Sequence, residues 1–151
     1  MGTLLPTSSD ASIKRSDDPD LLCIDDEHTA DVFKTLSSET SQEIFTALNE
    51  EPMAAQDIAD ELDLSLQQVS YHLDNLQETD LITVLDTCYS EKGMEMDVYG
   101  PPETPLLLYL GPSDDKPGML ESFKQFAHAI GPIAVPVAIG QIFARLTSDS
   151  E

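Results

Sequence analysis

Hydrogen-bonding side chains between residues 65 and 75 carry the clearest chemical signal in the chain. On a helix with Val69 at the centre of its buried face, the outward arc and its flanks comprise Gln67, Gln68, Ser70, Tyr71, Asp74 and Asn75. Amide and hydroxyl groups are the types that hydrogen-bond to base edges and phosphates. The arc therefore predicts recognition of a polar surface, such as a nucleic acid, rather than bond-making chemistry.

The apolar residues of the same stretch define the helix that must present this arc. Offsets of four, three, four and three separate Leu62, Leu66, Val69, Leu73 and Leu76, which keeps them on one face. Ser65 precedes the helix, and Gln68 completes a Ser-x-x-Gln capping box. With a shorter apolar pattern over 55–62, the region predicts a helix-turn-helix. Its second helix (the recognition helix) is expected to enter the major groove of DNA.

Two further helices are predicted upstream of this motif. Acidic residues at 25–27 favour a helix N-terminus, and Ser38 is a suitable cap for a second helix over 39–49. Pro52 ends that second helix. The side chains expected to face inward are Val32, Phe33, Leu36, Ile44, Phe45 and Leu48.

A β-hairpin is predicted after the recognition helix, with strands over 81–89 and 95–99. The loop between them contains Glu91-Lys92-Gly93, and glycine there supplies the positive φ that a hairpin turn needs. Lys92 near the tip is interpreted as a DNA contact, the alternative being a solvated turn lysine. The short run 106–110 is either a third strand or part of a dimer contact. The fold class expected is mainly α, a winged helix-turn-helix with a small β-hairpin wing and a C-terminal apolar helix.

These segments resemble the DNA-binding domain of ArsR-type winged-helix regulators, especially those of halophilic archaea. The resemblance rests on three segments in order, Leu36-Ser37-Ser38-Glu39-Thr40-Ser41-Gln42-Glu43-Ile44-Phe45, Val69-Ser70-Tyr71-His72-Leu73 and Tyr89-Ser90-Glu91-Lys92-Gly93. It covers about half the chain, roughly residues 27–102. It implies a homodimeric transcriptional regulator that binds operator DNA in two half-sites. The DNA-binding residues expected are Ser65, Gln67, Gln68, Ser70, Tyr71, Asn75 and Lys92.

The chain departs from the family pattern at three places. Ser41 stands where the family often has an arginine that touches the DNA backbone. Asp80 stands where a glycine often closes the recognition helix in a left-handed conformation, which Asp tolerates less well. Leu62-Asp63-Leu64-Ser65 replaces the Cys-x-Cys of the metal-sensing branch. Metal sensing of that kind is not expected.

Charge is the main difficulty for a DNA-binding reading. Acidic residues number 29 against 7 basic ones, for a net charge of −22, whereas DNA binding ordinarily draws on lysine and arginine. A salt-saturated cytoplasm resolves the conflict, because at about 1 M salt the Debye length is roughly 3 Å. The segment between Leu64 and Leu73 contains no Asp or Glu. This absence slightly favours a DNA-facing role over a merely half-buried helix.

The composition predicts three parts: a disordered acidic leader over 1–24, the winged domain over 25–111, and a linker with an apolar helical segment over 112–151. Residues 126–144 are uncharged and mostly apolar, and 19 residues approach the roughly 20 that cross a bilayer. Three alternatives stay open for this segment. It packs against its copy in a homodimer, inserts into a membrane, or covers its own domain.

No catalytic or cofactor-binding pattern stands out. The three histidines and two cysteines are scattered, without metal-ligand spacing, and neither a phosphate-binding glycine loop nor a nucleophile elbow occurs. We therefore expect a cytoplasmic protein that is not an enzyme, with no cofactor, metal or identifiable small-molecule ligand. Cys88 on a predicted wing strand is either a small buried residue or an oxidation sensor.

The second interpretation is a winged-helix protein-interaction module without specific DNA binding, in one form tethered at the membrane through residues 126–144. Winged helices can lose DNA binding while keeping the fold, since fold alone does not determine function. The serine at position 41 and the heavy acidity favour this alternative.

Overall fold

A computed structural model of the chain describes residues 8–126 and 128–129. The chain divides into two units after Gly111, and each is described by itself. The elements of the first unit are β1 (Asp20–Cys23), α1 (Glu27–Leu36), α2 (Glu39–Glu50), β2 (Met53–Ala54), α3 (Ala55–Leu62), α4 (Leu66–Glu78), β3 (Thr83–Tyr89), β4 (Glu95–Gly100) and β5 (Leu106–Tyr109). In the second unit, a 3₁₀ turn at Ser113–Asp115 precedes helical residues 116–126 and 128–129.

Helices α2, α3 and α4 surround the main core of the first unit. Each contributes side chains at helical spacing, because residues three and four apart share a face. The residues that lie at the centre, each at most 1% exposed, are Ile44, Leu48, Ile58, Val69, Leu73 and Leu76. This packing orients α4, so that the side chains opposite Val69 are directed away from the core.

The ends of the helices are closed by local hydrogen bonds. The Ser38 side chain accepts a hydrogen bond from the Ser41 amide and caps α2. Asp63 after α3 and Asp80 after α4 adopt left-handed φ angles of 53° and 54°. In each turn an N–H bonds to a carbonyl five residues earlier, the pattern of a Schellman closure. Asp80 therefore adopts the left-handed conformation that a glycine would adopt at this position.

The wing is an antiparallel sheet with strand order β2-β4-β3. β3 and β4 pair from Thr83–Gly100 to Tyr89–Glu95, with an irregularity between Val84 and Asp86. The predicted hairpin is confirmed, and Gly93 in its turn has φ 75°. The first strand starts at 83 rather than 81, because the Leu81 amide still belongs to the turn that closes α4 and bonds to the Leu76 carbonyl. The two-residue strand β2 was too short to be predicted.

The prediction of a disordered leader through residue 24 is wrong for residues 20–23. They form β1, which pairs in parallel with β5, and Leu21, Leu22 and Cys23 are 6%, 6% and 0% exposed. Only a run of four apolar residues, 21–24, marks this region in the sequence. The partner strand lies far along the chain, so no local periodicity reveals β1. The run 106–110 is thus a strand, but it pairs with β1 and not with the wing.

Two side chains that were expected to face inward are exposed. Phe33 is 41% exposed, and the buried residues of α1 are Thr29 and Val32. Leu66 is 47% exposed, because it is the first residue of α4 and lies beyond the packed turns of that helix. Leu36, Phe45 and Leu62 are partly buried against the core.

The apolar segment predicted over 126–144 lies, apart from residues 126 and 128–129, outside the described residues. Its three alternatives therefore stay predictions. Among the helices that the structure describes, each is too short or too polar to cross a bilayer.

We predict that Leu22→Ala destabilises the first unit although it lies in the expected leader. Leu22 is part of the main core, and removing a buried leucine side chain beyond Cβ costs about 2–5 kcal/mol. The matched control is Ile24→Ala, at a residue two positions away that is 49% exposed, with a change within about 0.5 kcal/mol. Urea unfolding in molar KCl measures both. Equal losses for the two variants would contradict a structural role for β1.

Candidate nucleic-acid interface

The N-terminus of α4 is organised by the capping box that the sequence predicted. The Ser65 hydroxyl oxygen accepts a hydrogen bond from the Gln68 amide N–H at 3.2 Å. In return, the Gln68 side-chain oxygen accepts from the Ser65 amide at 3.2 Å and from the Ser65 hydroxyl at 3.0 Å. Two otherwise unpaired backbone donors are thereby satisfied. The oxygen of Gln68 is engaged in the cap, which distinguishes this residue from its neighbour Gln67.

The outward arc predicted on α4, called the reading arc, lies on the surface of the first unit. Gln67, Ser70 and Tyr71 are exposed, with Tyr71 at 64%, and Asn75 is half-buried. Val69 on the opposite side is fully buried. The packing of α4 thus leaves amide and hydroxyl groups available along one outward face.

Lys92 is exposed in the turn of the wing. The turn is held by a hydrogen bond from the Gly93 amide to the Ser90 carbonyl at 2.8 Å and by a second from the Ser90 amide to the Met94 carbonyl at 2.8 Å. Lysine at such a tip can meet a phosphate as a point charge.

The sequence did not predict a polar contact between α4 and α2. The Ser41 side-chain oxygen lies 2.9 Å from His72 Nδ1, and Ser41 is 1% exposed. The His72 ring also contacts Tyr71 edge to face, with centroids 5.1 Å apart. Ser41 therefore holds the histidine beside the reading arc. A separation of 31 residues leaves no local signal for this pair.

Two clefts adjoin α4. A polar one of about 330 Å³ is lined by residues that include Lys34, Ser38, Ser41, Tyr71, His72 and Asn75. A more apolar one of about 440 Å³ lies between the first turn of α4 and the wing, with Leu66, Met94, Met96 and Tyr99 in its lining and Lys92, Glu95 and Asp97 beside them. Burial, followed by the negative charges of Asp97 and Asp74, raises the pKa of Tyr99.

Cys88 does not resemble a redox-sensing group. Cys88 is 4% exposed, and burial, followed by the charges of Asp57 and Asp86, raises the pKa of its thiol. A reactive cysteine needs an accessible thiolate, so the geometry favours the structural alternative for Cys88. Within the part of the chain that the structure describes, no cluster of three or more potential metal ligands occurs.

The comparisons with known proteins agree with the helix-turn-helix reading. Residues 36–84 match the family model described as a helix-turn-helix domain. The helices α2–α4, with the wing that follows them, make the fold a winged helix-turn-helix. No curated protein sequence matches the chain.

Several solved structures are similar at low identity. An ArsR-like transcriptional regulator from Rhodococcus sp. RHA1 is 20% identical, covers 82% of this chain and 93% of its own, and has a TM-score of 0.41. The homodimeric winged helix-turn-helix DNA-binding domain of Mb0332 from Mycobacterium bovis is 17% identical over 69% of this chain and 83% of its own, with a TM-score of 0.41. The S. aureus MepR–DNA complex is 17% identical over 80% and 92%, with a TM-score of 0.34. The fold class rests on the chain's own helices and wing.

We predict that Ser65→Ala destabilises the first unit by about 1 kcal/mol, the usual cost of losing an N-cap side chain. Gln67→Ala, an exposed position in the first turn of the same helix, should change stability by less than about 0.5 kcal/mol. Urea unfolding midpoints compare the two. A cost at Gln67 as large as that at Ser65 would contradict the assigned division between the cap and the reading arc.

Proposed function

We propose that this chain is a DNA-binding transcriptional regulator of the ArsR type, without the metal-binding cysteines, that acts as a homodimer on operator DNA. The observation that carries the proposal is the outward amide and hydroxyl face of α4 on a winged helix-turn-helix fold. The helix-turn-helix family match over residues 36–84 supports it. Such a protein acts where the chromosome is, which makes the cytoplasm its location. It needs no enzymatic activity or cofactor.

In the proposed complex, α4 enters the major groove and the wing follows the DNA backbone. The Gln67 and Asn75 amides are suited to adenine, whose edge offers one acceptor and one donor. Ser70 and Tyr71 add hydroxyl contacts, and Lys92 meets a phosphate. Ser65 and Gln68 contribute mainly by capping α4, with only the amide nitrogen of Gln68 left for a DNA contact. We therefore expect A·T pairs in each half-site.

Charge sets the conditions under which this binding takes place. A net charge of −22 opposes approach to DNA at low salt, whereas molar salt screens charges beyond direct contact. The first two turns of α4 contain no acid, so repulsion is smallest where the groove contact is proposed. We infer a halophilic setting, in which an acidic surface keeps the protein in solution at little cost to binding.

The homodimer is proposed to form through the C-terminal apolar segment, residues 126–144. Pairing two copies would align two α4 helices with two half-sites, as dimeric helix-turn-helix proteins do. A second apolar surface is available on β5 and just after it, where Leu106, Leu108 and Leu110 are 39%, 47% and 72% exposed. Their alternate spacing is that of one face of an extended strand.

A second candidate function is a protein-interaction module, with a membrane tether through residues 126–144 as one form of it. The apolar cleft between α4 and the wing favours it, because Met94 is 68% exposed there. Methionine-rich surfaces accommodate varied protein partners. Glu95 and Asp97 beside the cleft also disfavour a DNA backbone.

We predict that Gln67→Ala and Tyr71→Ala each weaken specific DNA binding in molar KCl. Loss of a bidentate amide–adenine pair costs about 1–3 kcal/mol. Tyr71→Phe keeps the ring that contacts His72 and isolates the effect of the hydroxyl. Gel-shift titration with genomic fragments measures the affinities, and unfolding curves check that the fold is kept.

The matched control is Gln125→Ala, an exposed glutamine of the second unit, which should bind DNA as the unmodified chain does. Undiminished binding by both the Gln67 and Tyr71 variants would reject the assigned face.

The salt dependence of DNA binding is a further readout. For a basic protein, the logarithm of the DNA affinity falls with the logarithm of the salt concentration, with a slope of about −0.9 for each phosphate that it neutralises. Because this interface has few cations, we expect a much shallower slope. A steep decline would mean that the contact surface lies elsewhere.

The proposed dimer contact predicts that the full chain is dimeric and that a chain ending at Asp115 is monomeric. Sedimentation equilibrium in molar KCl measures both, with membrane vesicles absent and no detergent. A dimer that survives the truncation would assign the contact to the first unit, where Leu108→Lys then tests the β5 face. A full chain that stays monomeric at all concentrations would exclude the homodimer.

A further inference from the structure

Leu66 does not behave as its place in the apolar stripe predicts. It is the first residue of α4 and is 47% exposed, whereas Val69, Leu73 and Leu76 of the same stripe are at most 1% exposed. It lies next to Gln67 in sequence and one helical turn before Ser70, and both of these are exposed. Its side chain lines the cleft between α4 and the wing together with Ser70 and Lys92, two of the residues proposed to contact DNA.

We propose that Leu66 determines specificity by reading the C5-methyl group of a thymine in the major groove. This inference rests on the proposed DNA-binding function. The thymine methyl is the distinctive apolar group on the major-groove edges of the four base pairs. Residues at the N-terminus of a recognition helix are those that contact base edges. A side chain without polar atoms gains from such an edge only by covering that methyl.

The neighbouring residue strengthens the assignment. Gln67 is suited to the adenine edge, and every A·T pair presents an adenine edge and a thymine methyl in the same groove. Leu66 and Gln67 are consecutive residues of the first turn, so together they can read the two halves of A·T-rich steps. Each would then select the same base pairs by a different interaction.

The other large exposed apolar side chain nearby is unsuited to this role. Met94 is 68% exposed, but it lies directly after the turn of the wing and just before β4. A wing meets the backbone or the minor groove, where thymine presents only an acceptor oxygen. Leu66 is the apolar residue that α4 itself carries toward the groove.

The test starts from a duplex selected by the full chain out of a random library in molar KCl. Each thymine is then replaced in turn by deoxyuridine, which removes the methyl group and leaves the Watson–Crick pairing unchanged. At the thymine that Leu66 reads, the unmodified chain should bind the uracil duplex about fourfold more weakly, the worth of one buried methyl group. Leu66→Ala should bind the two duplexes equally, which is a double-mutant cycle between protein and DNA.

Two variants serve as controls. Leu66→Met keeps an apolar side chain and should retain the preference for thymine, even if the fold loses some stability. Phe33→Ala removes an apolar side chain of similar exposure, 41%, from α1 and should also retain it. Because the readout is a ratio of two affinities of one variant, changes in overall stability or dimerisation cancel.

Each other outcome overturns the inference. Equal binding of thymine and uracil duplexes by the unmodified chain rejects methyl reading while the DNA-binding function stands. A thymine preference that persists in Leu66→Ala assigns the methyl contact to another residue. If the full chain selects no duplex, the proposed function and this inference are rejected together.

Discussion

The burial of one face of α4 is the constraint on which the site depends. Val69, Leu73 and Leu76 are held against α2 and α3 with almost no exposure, and burial of each such side chain stabilises the fold by about 1.5–3 kcal/mol. A helix with one face so strongly fixed cannot rotate about its axis. The orientation of Gln67 and Tyr71 is therefore a consequence of the core, and it needs no contribution from the polar residues themselves.

The polar contacts around α4 add to the orientation that the core gives this helix. The Ser65–Gln68 cap determines where the helix begins, and the Ser41–His72 contact joins its middle to the start of α2. The left-handed turn at Asp80 then directs the chain into the core before the wing. These features use short-range hydrogen bonds, which molar salt weakens less than it weakens attraction between separated charges. They suit a chain with an excess of 22 negative charges.

Much of this architecture was predictable because its signals are local. The capping box, the periodic stripe and the Gly93 turn each lie within a few residues, and the structure contains all three. What escaped prediction depends on distant partners. β1 contains only three apolar residues, and the strand that it pairs with, β5, lies far along the chain. The role of Ser41 depends on His72, which is 31 residues away in sequence. Leu66 follows the stripe in sequence but lies past its packed end, because periodicity gives a direction and not the extent of the neighbouring surface.

The parallel pairing of β1 with β5 has a mechanical consequence. These strands lie near the two ends of the first unit and run in the same direction, so tension applied between its ends would pull the strands past each other along their length. The hydrogen bonds between the two parallel strands resist this sliding together, so they must break at the same time. An antiparallel pair pulled from one end would instead open one bond after another. β1, which the sequence did not predict, thus helps the first unit to resist forced extension.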